Sequence, residues 1–141
     1  MQPLVFMSAV VYALFLWWFV TGLIIVVYGR SRRVTDLYFA CATIVMILAL
    51  MGLGLSRDET SPAGVYLALT CGILLWGWQV TAYYLGYVTG PQSEATVREM
   101  AGRPLSLGLR FRYALQASLF HELSIVSLAL VLVGLTWAAA N

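Results

Sequence analysis

Four long apolar runs dominate the sequence, and their length restricts the fold more than any other feature. A helix needs about 20 residues to cross a hydrocarbon core about 30 Å thick. Inside lipid the backbone must satisfy its own hydrogen bonds, which a continuous helix does. The alternating ten-residue segments of a membrane β-barrel do not occur in the sequence. We therefore predict an all-α integral membrane bundle, a single transmembrane domain over residues 1–141, with spans at about 4–28, 37–55, 65–88 and 113–138.

The charge distribution agrees with this prediction. Only 10% of the residues are charged, whereas a soluble domain carries about a quarter. Glu122 is the only charged residue inside a predicted span, and the basic residues are all arginine. The net charge of +2 and the absence of a basic patch interleaved with aromatic residues argue against a nucleic-acid partner.

The arginines also predict the orientation. Three lie in the first loop, residues 29–36, and four in the third loop, residues 89–112, but the second loop carries only Arg57. Basic residues concentrate in cytoplasmic loops. We therefore expect the first and third loops in the cytoplasm and the N-terminus on the periplasmic side.

Local signals predict several helix ends. Thr60 or Ser61 is placed to cap the third helix, with Pro62 in its first turn. Gly90-Pro91 is expected to stop that helix. Residues 93–100 form either a short helix on the lipid headgroups or a plain solvated loop.

The two cysteines are expected to be unpaired. Cys41 lies near one end of its span and Cys71 nearer the other end of the next span. A disulfide needs Cα atoms within about 7 Å. We interpret both cysteines as small buried residues.

An ionisable pair lies near the middle of the fourth span. Ser118, His121 and Glu122 stand at i, i+3 and i+4, which predicts a shared helix face. Such groups rarely face lipid. His121 could ligate the metal of a porphyrin or chlorin, the pair could conduct protons, or it could tie the helix to its neighbours. The chemistry alone favours the tie, and a lone histidine does not make a protein metal site.

Aromatic residues form the second unusual feature. Membrane tryptophans concentrate at interfaces, yet four lie near the middle of their spans: Trp17, Trp18, Trp76 and Trp78. On the third span a stripe repeats every three or four residues, and it comprises Gly72, Trp76, Gln79, Tyr83 and Gly86. The stripe predicts either a helix–helix interface within the bundle or a flat aromatic surface that contacts a pigment, a carotenoid or another protein.

Motifs of catalysis are absent from the sequence. It contains no nucleophile–base pair, no phosphate-binding or dinucleotide-binding fingerprint and no HExxH zinc motif. We therefore expect no catalytic residues and no enzymatic activity.

Several short strings occur in order along all four spans. They are LFLWWF at 14–19, TG at 21–22, RDETS at 57–61, YLALTC at 66–71, WGWQ at 76–79, VTGP at 88–91, HEL at 121–123 and GLTW at 134–137. Together they resemble one family, the PuhE-like photosynthetic complex assembly proteins of anoxygenic phototrophic bacteria.

The resemblance implies an assembly or accessory role beside the reaction centre and its light-harvesting subunits, in the photosynthetic intracytoplasmic membrane. It implies no activity and assigns no role to Trp76, Trp78, Gln79, His121 or Glu122. Family members continue well beyond residue 141, so the chain is expected to correspond to roughly their N-terminal half.

The leading hypothesis is an assembly or accessory membrane subunit that acts by helix contacts. Aromatic placement adds the hypothesis that Trp17, Trp18, Trp76, Trp78 or His121 touches bacteriochlorophyll, carotenoid or quinone. A transporter of pigment or lipid is the alternative, although it would need a lined cavity at the midplane and usually broken helices. A haem or quinone redox subunit is a weaker third, since this chain has a single histidine.

Overall fold

The computed structural model describes residues 2–87 and 106–137, and for residues 2–5, 113, 116 and 117 it describes the backbone only. Within these ranges the chain forms helices and turns, without strands. All four helices contain a segment long and apolar enough to cross a membrane, which confirms the predicted fold class. The helices are α1 (Gln2–Val27), α2 (Arg32–Ser56), α3 (Pro62–Tyr84) and α4 (Leu107–Thr136).

The start of α3 follows the predicted capping chemistry. The Ser61 side chain accepts a hydrogen bond from the backbone N–H of Gly64 at 3.2 Å, and Pro62 occupies the first turn. The cap satisfies one of the N–H groups that a helix start leaves without a partner. The predicted capping site is therefore confirmed at Ser61.

The end of α3 differs from the expectation. The helix ends at Tyr84, before Gly90-Pro91, because Gly86 takes a left-handed conformation with φ of 68°. The N–H of Gly86 donates to the carbonyl of Tyr83, and the N–H of Tyr87 donates to that of Ala82. This is the Schellman arrangement, in which a glycine just past the helix satisfies its last carbonyls. Gly86 therefore does not belong to the α3 stripe, and that part of the prediction was wrong.

Two helices begin in the charged segments that flank the spans. α2 starts at Arg32, so three charged residues of the predicted first loop lie on the helix: Arg32, Arg33 and Asp36. α4 starts at Leu107 behind a Ser106 cap, which places Arg110 and Arg112 on the helix and not in the third loop. Residues 93–100, for which we expect either a short helix or a plain loop, lie outside the described residues.

The core lies between α2 and α3, the most extensively packed pair. Ala49 and Leu53 of α2 meet Cys71 and Leu75 of α3, and Leu128 and Leu132 of α4 pack against this cluster. Gly52 keeps the two helices close, because a Cβ there would lie 2.9 Å from the Cys71 sulfur. Cys71 is buried as expected.

Cys41 contradicts the expectation of burial. It is exposed and unpaired, and its side of α2 borders a cleft toward α1. The cleft exists because α1 packs mainly on α3 and touches α2 only weakly.

α1 and α3 run side by side in the same direction. Ser8 and Tyr66 share a hydrogen bond of 3.0 Å, and one turn further on Tyr12 and Thr70 share one of 2.7 Å. The constant offset of 58 residues defines a parallel pair. Further along, the Val20 side chain lies directly against the backbone of Gly77, where an added Cβ would be 2.5 Å from a valine methyl.

Candidate functional site on helices α3 and α4

Gln79 joins α3 to α4. Its side-chain amide donates to the backbone carbonyl of Ser124 at 2.9 Å, and the Ser124 hydroxyl donates to the amide oxygen of Gln79 at 2.9 Å. The glutamine is only 1% exposed. Reciprocal bonds of this kind satisfy a buried amide that would otherwise be costly in an apolar surrounding.

His121 lies against the same helix one turn away. Its ring centroid is 4.6 Å from that of Tyr83, at an interplanar angle of 47°. Because Gln79 meets Ser124 and Tyr83 meets His121, α3 and α4 run antiparallel in one register. Two members of the predicted stripe, Gln79 and Tyr83, thus lie at the interface with α4.

Glu122 and Ser118 do not share the environment of His121. His121 is half-buried, whereas Glu122 and Ser118 are exposed. Adjacent helical residues differ by about 100° in direction, so the turn of α4 that directs His121 to Tyr83 leaves Glu122 beside that contact. Among the described residues Glu122 has no hydrogen bond or ion pair. No residue of the span Ser118–Thr136 is fully buried.

A shallow cleft of about 190 Å³ runs along the α3–α4 boundary. Its walls include Gly72 and Trp76 on α3 and Ile125 and Ala129 on α4. Glu122, Ile125 and Ala129 stand at i, i+3 and i+7, so they occupy neighbouring positions on α4. Nothing lies within 4 Å of a Cβ placed on Gly72. We call these five residues the Trp76–Glu122 surface.

The four mid-span tryptophans separate into three positions. Trp76 is 48% exposed at the cleft, and Trp17 and Trp18 are exposed on α1. Trp18 neighbours Phe15, with ring centroids 6.5 Å apart. Trp78 is instead half-buried between helices, where its indole N–H donates to the Thr43 hydroxyl at 3.0 Å. The structure therefore does not bring the tryptophans into one aromatic surface.

A polar and aromatic ladder at the end of the α2–α3 pair was not predicted. The Tyr87 ring stacks on Phe39 at 4.1 Å, and Phe39 stacks in turn on Trp78 at 5.9 Å. The Tyr87 hydroxyl donates to Asp36, which also binds Arg32 at 3.1 Å. Gly86 is the sequence feature that could have indicated this ladder, because its left-handed conformation turns the chain back toward α2.

The ladder changes the acidity of its tyrosine. Burial raises the pKa of Tyr87, and its hydrogen bond to the Asp36 carboxylate adds to the rise. The Arg32 guanidinium, 4.6 Å from the ring centroid, opposes it. The neutral phenol is therefore the form that the folded ladder holds.

The described part of the chain contains no group of three or more His, Cys, Asp or Glu side chains that could hold a metal ion. The described side chains of the site make hydrogen bonds and ring contacts within the candidate spans. Together with the helices, these contacts define a multi-pass α-helical membrane protein.

Comparison with known proteins places the chain in a family. A family model described as "Protein of unknown function (DUF3623)" matches residues 4–141, so the chain belongs to that family. It is 28% identical to a Rhodobacter capsulatus protein described as "Uncharacterized 30.4 kDa protein in puhA 5'region", over 91% of this chain and 46% of the relative. The chain thus spans about half the length of that relative. No solved structure matches it.

Proposed function

We propose that this chain is part of an accessory membrane protein that helps to assemble or maintain a bacterial photosynthetic reaction-centre–light-harvesting complex. It acts by transmembrane helix contact and without catalysis. The single observation that carries the contact mechanism is Glu122, an exposed carboxyl group within a candidate span, one helical turn before the cleft residue Ile125.

The physical argument starts from the cost of that carboxyl group. An acidic residue at mid-bilayer costs roughly 2.5–3.5 kcal/mol on insertion scales, and such residues almost always face other helices or water-filled cavities. A helix placed against α4 would supply a hydrogen-bond donor to Glu122. Small residues let helices approach closely in membranes, and Gly72 and Ala129 supply them at this surface.

Trp76 adds a second reason to expect a protein partner. Its exposed indole stands at the edge of the cleft, and tryptophan is enriched among the residues that carry binding energy at interfaces. In lipid, helix association depends on packing and hydrogen bonds and not on the hydrophobic effect. The Trp76–Glu122 surface provides both kinds of contact.

The photosynthetic context comes from the relative. The location of its gene in the region 5′ of puhA suggests a photosynthesis-related context. We extend that context to this chain, with reaction-centre and light-harvesting polypeptides as the partners and the photosynthetic inner membrane as the location. The arginine distribution supports a periplasmic N-terminus.

Affinity purification of the full-length protein from mild detergent tests the proposal. Reaction-centre or antenna polypeptides are expected to co-purify with the wild type, and Glu122→Leu is expected to reduce their recovery at least tenfold. Glu122→Gln, which keeps hydrogen-bonding capacity, should retain more partner than Glu122→Leu. Glu59→Leu is the matched control, because Glu59 is exposed in the α2–α3 turn.

Two results together would contradict the proposal. The first is recovery of the protein alone. The second is growth that does not depend on the light regime after deletion of the gene.

A further inference from the structure

A second cleft lies on the opposite side of the bundle from α4, between α1 and α2, with α3 as its floor. Its volume is about 290 Å³, close to the lower end of the range for small-molecule sites, about 300–1,000 Å³. The lining is almost wholly apolar and includes Leu16, Phe19 and Leu23 of α1, Ala42 and Val45 of α2, and Leu74 of α3.

The helix packing explains why this space stays open. α1 is held to α3 by the Tyr12–Thr70 hydrogen bond and by the close packing of the Val20 side chain against Gly77. On the facing side α2 presents Cys41 and Ala42, whose side chains are too small to reach across to α1. The cleft is therefore a consequence of the parallel α1–α3 register.

The cleft opens where a hydrocarbon chain is the available occupant. Both of its walls belong to candidate membrane spans, Phe6–Val27 and Arg32–Ser56. Apolar cavities of this kind do not hold water. An empty cleft would forfeit the dispersion contacts of its lining, whereas a flexible chain would restore them.

Positive charge stands at one end of the same cleft. The turn between α1 and α2 carries Arg30, and Arg33 follows in the first turn of α2, both exposed. Arg32 is engaged by Asp36 and Tyr87. Arg30 donates from Nε to the Val26 carbonyl at 3.3 Å, which uses one of the five N–H groups of its guanidinium. Tyr38 lines the cleft five residues after Arg33, about 7.5 Å further along the axis of α2 and about 140° around it. The charged end and the apolar slot are thus within the length of one lipid molecule.

We propose that this cleft is a binding site for one anionic phospholipid. One acyl chain lies in the slot between α1 and α2, and the phosphate is bound by Arg30 and Arg33. Basic pockets between transmembrane helices bind acidic headgroups in this way. The lipid fills the space where α1 and α2 touch only weakly.

Native mass spectrometry of the full chain in mild detergent tests the acyl-chain part. The protein is titrated with phosphatidylglycerol or with phosphatidylcholine. We expect one phosphatidylglycerol molecule to remain bound under activation that removes the others. Ala42→Phe fills the slot and should lower its occupancy at least tenfold. Ala40→Phe is the control, because Ala40 is exposed on α2 outside the cleft.

The headgroup part is tested by charge removal. The double variant Arg30→Gln/Arg33→Gln should lose the preference for phosphatidylglycerol over phosphatidylcholine, while Arg57→Gln at the opposite end of the bundle should keep it. The proposal is overturned if the wild type shows no preference, or if Ala42→Phe retains phosphatidylglycerol as the wild type does. It is also overturned if a polypeptide, and not a lipid, is displaced by Ala42→Phe.

Discussion

Gln79 and Ser124 exchange two hydrogen bonds of 2.9 Å across the α3–α4 interface. This reciprocal pair fixes the register in which α4 lies on α3. Within that register His121 meets Tyr83, and Glu122 is left on the exposed side. The exposure of the carboxyl group is therefore a consequence of the buried amide.

A double-mutant cycle measures this pair. Gln79→Ala and Ser124→Ala are expected to be coupled by about 0.6 to 1.7 kcal/mol, from the average to the largest value found for hydrogen bonds between membrane helices. The measurement is unfolding of the single and double variants by a denaturing detergent. Strictly additive effects would show that the two side chains do not act together. Ser127→Ala on the exposed side of α4 serves as the control.

The close approach of α1 to α3 predicts that substitution of two glycines on α3 changes the free energy of unfolding by different amounts. Gly77→Ala places a Cβ 2.5 Å from the Val20 side chain, so we expect a loss of about 1–3 kcal/mol in the free energy of unfolding. Gly72→Ala meets open space and should change stability by no more than about 0.5 kcal/mol. Val20→Ala should restore much of the loss in Gly77→Ala. Equal effects at both glycines would contradict the α1–α3 register.

The contact of His121 with Tyr83 separates a structural role from pigment ligation. If the ring packs as the structure shows, His121→Ala should cost about 1 kcal/mol, whereas His121→Phe should keep most of the contact. The measurements are unfolding of both variants and the absorbance spectrum of the purified protein. Bound pigment in the wild type that disappears in both variants would contradict a purely structural histidine.

The Tyr87 ladder predicts a pH dependence. The pKa of Tyr87 is raised above its ordinary value of 10.0 by burial and by Asp36. The stability contributed by the neutral phenol is therefore present below about pH 10 and lost as the pH rises through the folded-state pKa. Ultraviolet titration of tyrosinate in the wild type minus Tyr87→Phe should show a group that ionises above pH 10. A difference titration at or below pH 10 would contradict the ladder.

The sequence predicted the helices and some of their ends for direct physical reasons. Lipid thickness restricts the length of a span, so the apolar runs located all four helices. Capping depends on neighbouring residues only, which is why Ser61 and Pro62 were identified. Gly86 could also have been identified, because a glycine followed by an aromatic residue after a helix is the pattern of a Schellman ending.

The features that depend on tertiary register could not be predicted. His121 and Glu122 are adjacent in the chain. Which of them faces α3 depends on how α4 packs against α3, including the Gln79–Ser124 hydrogen bonds. The packing of Val20 against Gly77 depends in the same way on which residues of α1 and α3 lie side by side. Cys41 was expected to be buried, but its exposure follows from a cleft that no local pattern indicates.

Photocrosslinking from α4 in native membranes tests whether the Trp76–Glu122 surface binds a photosynthetic polypeptide. A benzophenone amino acid replaces Val133, which lies on the Glu122 side of α4, or Val131, which is equally exposed on the other side. We predict crosslinks from position 133 to a reaction-centre or light-harvesting polypeptide, and lipid adducts alone from position 131. Crosslinks to such a polypeptide from neither position, or equally from both, would show that the Trp76–Glu122 surface does not bind it specifically.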